Sequence, residues 1–139
     1  MIAQVRSQAE CDAAPADAVI EIVAPVEVRL NRPGVIRGFA SGSVAKACVA
    51  DSVAEAWVAG SVAEALAPDS VAEAWAPDSV AEAWVAGSVA KACVADSVAR
   101  ARAAGSAAHA RVADSRAEAC VADSVAEAWV AGSVAKAYG

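Results

Sequence analysis

The chain has almost none of the large apolar side chains that fill an ordinary protein interior. Of its 139 residues only 4% are aromatic, with one Phe, one Tyr and one Met. A rounded core at native density needs such side chains. A conventional globule is therefore excluded, and any core must be thin, with backbones close together. Apolar residues still make up 58% of the chain, carried by Ala and Val. Long apolar runs are missing too. Charges or turn residues interrupt each one well before the ~18 residues of a membrane-spanning helix. The start, MIAQVRSQAECDAAPADA, lacks the continuous apolar stretch of a secretory signal. The expected location is the cytoplasm or a phage virion. Positive charge is in deficit: 11 Lys and Arg against 17 Asp and Glu give a net charge of −6 and a pI near 4.7. Neither nucleic acid, which needs a basic surface to replace counterions, nor a membrane is an expected partner.

What is present is a repeat, and the length suits one domain. Aligned on Ser, the chain reads S-V-A-(E/K)-A-(W/C)-V-A-(D/G). Ten full copies run from Ser43 to Gly132, with a truncated eleventh at the end. A degenerate copy, GVIRGFASG, covers Gly34 to Gly42, and PVEVRLNRP, from Pro25 to Pro33, is a faint further match. Fixed-period self-similarity decides architecture before any local propensity does. Counting positions from Ser, Ala occupies three and five in every copy, and four is always polar. Position six varies most, and nine is Asp or Gly before the terminus.

Two local structures compete. SVAE has the form of a helix capping box, and Ala is the best helix former. A helix starting at Ser would meet Gly or Asp-Ser after one short segment, and helices that short are unstable alone. A continuous helix turns the pattern by about half a turn every nine residues. It would also place Pro68 and Pro77 in its interior, at ~3 kcal/mol each. A strand over positions two to seven explains more. Alternation puts positions three, five and seven (Ala, Ala, Val) inside. Positions two, four and six (Val, the charge, Trp or Cys) lie outside, since a charge cannot be buried eleven times over. Positions eight, nine and one make the corner, where Gly, Asp and Pro suit a tight turn. Two nonapeptides then form one coil of about 18 residues with two opposed parallel sheets. The expected fold is an all-β parallel β-solenoid (β-helix or β-roll). A three-sided hexapeptide helix ranks second.

Stacking copies two apart predicts ladders. One face carries Lys46, Glu64, Glu82, Arg100, Glu118 and Lys136. The other carries Glu55, Glu73, Lys91, His109 and Glu127. Trp57 stacks over Trp75, and Trp84 lies beside Arg102 in a cation–π contact. Cys48 and Cys120 share a face about 19 Å apart by strand spacing, with Cys93 opposite. Disulfides need Cα atoms within ~7 Å, so these cysteines form none within the chain. Nor do they supply the four converging ligands of zinc; Cys11 lies outside the repeats.

A tandem repeat sets the same residues in a row, whereas catalysis needs different residues converging on a point. No catalytic, cofactor or metal site is expected. The local anomaly is RARAAGSAAHARVADSR, which gathers Arg100, Arg102, His109, Arg111 and Arg116 in an acidic chain. With Trp57, Trp75, Trp84 and Trp129, these are the partner-binding candidates.

GSVAKACVADSVAEAW (Gly42 to Trp57) resembles the Ala/Val-rich short tandem repeats, of the GSATVRAYGSATVEAW kind, in hypothetical proteins of actinobacteria and their phages. The likeness extends through Gly139. It implies a solenoid and brings no activity or binding residues. Residues 1–33 differ. AVIEIVAPVEVRL (Ala18 to Leu30) reads as two strands broken at Pro25, an N-terminal cap preceded by a loose or helical tail. Residues 34–139 form the solenoid. The C-terminus has no distinct cap, which suggests end-to-end self-association. The function expected is a non-enzymatic scaffold, spacer or binding solenoid with itself or another protein as partner. The alternatives are an acidic nucleic-acid mimic, as in pentapeptide-repeat proteins, and an ice-binding surface.

Overall fold

The computed structural model describes residues 2–119, 124–129 and 132–137, with residues 136 and 137 by their backbone alone. It opens with strand β1 (Ile2–Val5), helix α1 (Gln8–Ala13), β2 (Val19–Ile22), β3 (Glu27–Leu30) and β4 (Gly34–Gly38). Each nonapeptide then supplies one strand: β5 (Val44–Ala47), β6 (Ser52–Ala56), β7 (Val62–Ala65), β8 (Val71–Ala74), β9 (Val80–Ala83) and β10 (Val89–Ala92). The series continues with β11 (Val98–Ala101), β12 (Ala107–Ala110), β13 (Arg116–Ala119), β14 (Val125–Ala128) and β15 (Val134–Ala137). From β2 onward successive strands alternate between two parallel sheets. One has eight strands in the order β1-β2-β4-β6-β8-β10-β12-β14. The other has seven, β15-β13-β11-β9-β7-β5-β3. Every strand from β6 to β15 pairs with the one 18 residues away, Val71 with Val89 and Val80 with Val98 for example. The chain is a two-sided parallel β-solenoid, not a three-sided helix.

The interior explains the period. Ala at positions three and five is fully buried from Ala45 to Ala117. A methyl is the largest group these rows place between the sheets. Position seven departs from expectation. It is buried at Ala67 and Ala76, but Val49, Val58, Val85 and Val94 are only half-buried, and the third inner row is Ser at position one, 0–1% exposed from Ser43 to Ser115. The strand ends at position five, and the chain is already turning at seven. The Ser88 N–H closes the turn on the Val85 carbonyl at 3.1 Å. The turn needs a positive φ at position nine, near 80° for Gly60, Gly87 and Gly105 and 62–67° for Asp51, Asp69, Asp78, Asp96 and Asp114. Gly adopts that backbone freely, and Asp is among the few others that tolerate it. Pro68 and Pro77 sit one residue earlier, where the ring presets the turn.

Each buried serine is satisfied within its own turn. The Ser88 hydroxyl donates to the Val85 carbonyl at 2.6 Å and accepts from the Val85 N–H at 3.3 Å. The same reciprocal pair recurs at Ser61, Ser70, Ser79, Ser97, Ser106 and Ser115. Position-nine N–H groups bond the position-nine carbonyl one coil on, as from Gly87 to Gly105 at 3.0 Å. The turns are thus laddered like the strands, and few backbone groups are left over.

The first coils use larger residues. Val5, Ile20, Ile22, Val28, Leu30 and Ile36 are buried, and the pairing interval shortens to 16 or 17 residues. Gly38 lies between Ile22 and Ala56 in its row, and a Cβ there would come 2.7 Å from Ser43 Oγ. The two strands expected around Pro25 are β2 and β3. The preceding segment is not loose. It forms β1, which extends the eight-stranded sheet, and α1, which lies beside β3. Ser7 caps α1 by accepting from the Glu10 N–H, and the Glu10 carboxylate accepts from the Arg6 N–H. Gln8 then bonds the β3 backbone as a strand would, accepting from Arg29 N–H at 2.7 Å and donating to Arg29 C=O at 2.8 Å.

Two substitutions test this interior. Ser88→Ala removes one turn staple and lowers stability by about 1 kcal/mol. Ala90→Leu forces extra methylenes between the sheets and costs at least ~1–3 kcal/mol. Urea midpoints should rank wild type, Ser88→Ala, Ala90→Leu; a tolerated leucine would contradict the thin core.

Candidate functional site on the outer ladders

Inside, the coils are nearly identical; outside they differ. The predicted ladders form in register: Lys46 beside Glu64, Glu64 beside Glu82, Glu82 beside Arg100, and Glu118 beside Arg100 and Lys136. On the eight-stranded sheet Glu55 neighbours Glu73, Lys91 lies between Glu73 and His109, and His109 neighbours Glu127.

On the eight-stranded sheet the aromatic row is a stack. The rings of Trp57 and Trp75 lie 5.3 Å apart and 7° from parallel. Phe39, from position six of the degenerate copy, joins at 6.0 Å and 8°. Sequence reasoning omitted Phe39, though its place in the repeat marks it. Each indole N–H donates to the position-four glutamate of its own strand, Trp57 to Glu55 at 2.9 Å and Trp75 to Glu73 at 3.0 Å. Arg37 lies over Trp57 at 5.6 Å and binds Glu55 at 2.8 Å. Trp57 therefore has a ring on either side, and the stack offers outside contacts mainly ring edges.

The basic stretch does not form one patch. Arg100, Arg102 and Arg116 belong to the seven-stranded sheet, and His109 and Arg111 to the other. The arginines of the first group are taken up by buried carboxylates. Glu82 lies 3.5 Å from Arg100 and 3.0 Å from Arg102. Glu118 lies 2.9 Å from Arg100 and 3.9 Å from Arg116. Arg102 also covers Trp84 at 5.0 Å, the predicted cation–π pair. On the other face Arg111 lies 5.4 Å from the exposed Trp129 ring. His109 is 5.9 Å from the same ring and 3.8 Å from Glu127. Its buried Nδ1 has no hydrogen-bond partner among the described residues, and burial pulls its pKa below the usual imidazole value.

Cys48 follows β5 and Cys93 follows β10, on opposite sheets as predicted; Cys11 is buried in α1, and all three are free. Cys120 and Tyr138 lie outside the described residues. Burial raises the Cys11 and Cys48 thiols, and it raises Cys93 to about 11 with help from the Glu73 charge. Nucleophilic cysteines need the opposite shift. Among the described residues no three His, Cys, Asp or Glu side chains converge to hold a metal. Asp78, Asp96 and Asp114 stack along one edge, and with Arg116 they line an open depression of about 240 Å³. Among the described residues no helix is long and apolar enough to cross a membrane.

The like-charged rungs are a liability with a readable pH dependence. Burial, then the neighbouring Glu82, raises Glu64; Glu73 is raised by burial and by Glu55, against the Trp75 hydrogen bond. A raised carboxyl holds its proton more tightly in the folded chain than in the unfolded one. Its favourable contribution is complete below the unfolded carboxyl range and is lost as pH rises through the folded value. Glu73→Gln, with no cation bonded to lose, should raise the melting temperature of a dilute sample at neutral pH. The gain corresponds to ~0.2–1 kcal/mol and should vanish near pH 4, on the order of the free carboxyl value. Alkylation followed by peptide mass mapping should find Cys48 and Cys93 slow at neutral pH in the folded chain and fast in urea.

No protein family, curated protein or solved structure matches this chain, so its function has to be read from these ladders.

Proposed function

We propose that the chain is a non-enzymatic rod, a scaffold or spacer whose coil number sets its length and whose outer rows supply the contact surface. The observation that carries this reading is the division between inside and outside. The inner Ser, Ala and Ala rows repeat unchanged from coil to coil. The outer position-six row runs through Trp, Leu, Cys and Arg. An interior this uniform lets a coil be added or removed while its neighbours keep their contacts, the nearest-neighbour behaviour of a solenoid. The variable outer rows are where partners would be distinguished. The net charge of −6 favours protein partners over phosphate backbones.

Duplicating residues 52–87 in tandem adds four nonapeptides, or two coils. Small-angle X-ray scattering should then show a particle longer by about 10 Å, two strand spacings, with an unchanged cross-section. A single cooperative melt should be retained. A widened cross-section or a non-cooperative melt would overturn the rod reading.

A further inference from the structure

The two outer faces differ in how their charges are arranged, and one of them is complementary to itself. Along the eight-stranded sheet the position-four row runs Arg37, Glu55, Glu73, Lys91, His109, Glu127. Reversing that order sets Glu73 against Lys91 and Arg37 against Glu127 as opposite charges, with Glu55 facing the His109 imidazole. The position-six row reverses equally well: Trp57 meets Arg111, and Phe39 meets the exposed Trp129. We propose that this face pairs with the same face of a second copy. The two-fold axis runs along the strands between β8 and β10, so the two rods lie antiparallel.

The geometry suits the operation. A two-fold axis in the contact plane, parallel to the strands, reverses the order of the strands and keeps their direction. Face-to-face sheets normally hold strand directions within about 30°. An isologous contact of this kind closes at a dimer. The register is selective. An axis one strand earlier would set Glu55 against Glu73 and Arg37 against Lys91, and one strand later Glu73 against Glu127. The seven-stranded sheet offers no such solution near its centre: an axis between β7 and β9 opposes Glu64 to Glu82 and Lys46 to Arg100, and one between β9 and β11 opposes Glu64 to Glu118 and Lys46 to Lys136. Its cations are also already engaged. Lys46 pairs with both Glu27 and Glu64, and Arg100 with Glu82 and Glu118. On the proposed face Arg37 is likewise held by Glu55 and Glu21, but Lys91 at the axis has no ion pair among the described residues, although Glu73 is its register neighbour. The six strands from β4 to β14 span about 24 Å by 17 Å. That is about 400 Å² on each copy, the size of weak, transient contacts, so association should be no tighter than high micromolar and salt-sensitive.

The pairing goes beyond the rod reading, because a monomeric rod would leave that reading intact; coil duplication tests the rod and the following experiment the dimer. Sedimentation equilibrium on the full chain, from low to high micromolar concentration, should fit a monomer–dimer equilibrium that weakens with added salt. Lys91→Glu places Glu against Glu73 twice across the axis and should weaken the dimer at least tenfold. The exchanged double variant Glu73→Lys/Lys91→Glu should restore it. Position four already holds Lys and Glu interchangeably, and circular dichroism melts confirm that each variant is folded. A strictly monomeric chain, oligomers growing past the dimer, a dimer indifferent to Lys91→Glu, or failure of the double variant to restore pairing would each overturn the proposal.

Discussion

The separation between the two sheets governs everything else in this molecule. It is set by alanine methyls and serine hydroxyls, which bring the backbones closer than Val or Leu would permit. The spacing leaves no room for a conventional core, so stability comes from hydrogen-bonded ladders and from many small contacts summed along the stack. It also fixes the turn. A chain reversing over so narrow a gap must turn sharply, and it does so through a positive φ at Gly or Asp with the serine hydroxyl clasping the residue three before it. The buried serine is at once a spacer and a staple, which accounts for its presence in every copy.

Much of this was legible in the sequence because the period acts as a global signal. Pro68 and Pro77 excluded a helix interior. The recurring charge at position four decided which side faced water, and the interval of 18 then set each ladder, including Trp57 on Trp75 and Arg102 on Trp84. The inner position of Ser was not legible. A serine beside Gly or Asp carries the same signature in an exposed loop as in a buried turn, and only the carbonyl it reaches distinguishes them. At the N-terminus SQAE, Ser7 to Glu10, does start a helix, with Ser7 as its cap and Glu10 reaching back to the Arg6 N–H, whereas the many SVAE copies are strands. Both match the same pattern. The short α1 is held by Gln8 on the β3 backbone, a contact 21 residues away that no local reading supplies. β1 is likewise set by its pairing to β2.

The outer rows show what a repetitive fold can diversify without disturbing its interior. The arginine-rich stretch looks like one basic cluster along the chain. Alternation of strands divides it, giving Arg100, Arg102 and Arg116 to one sheet and His109 and Arg111 to the other. Buried Glu82 and Glu118 then neutralise the first group. The second group stays on the face that carries the aromatic stack. Proximity in sequence is thus a poor guide to proximity on a two-sided solenoid, whereas residues 18 apart are neighbours.

That interval is the central claim, and a pair of engineered cysteines tests it directly. In a chain with its native cysteines replaced by alanine, Val62→Cys/Val80→Cys places the thiols on adjacent strands of one face, about 4.8 Å apart at Cα and within disulfide reach. Val62→Cys/Val71→Cys, half an interval apart, places them on opposite outer faces. Air oxidation should close an intramolecular disulfide in the first variant and leave the second as free thiols. Closure in the second variant but not the first would contradict the two-sheet coil.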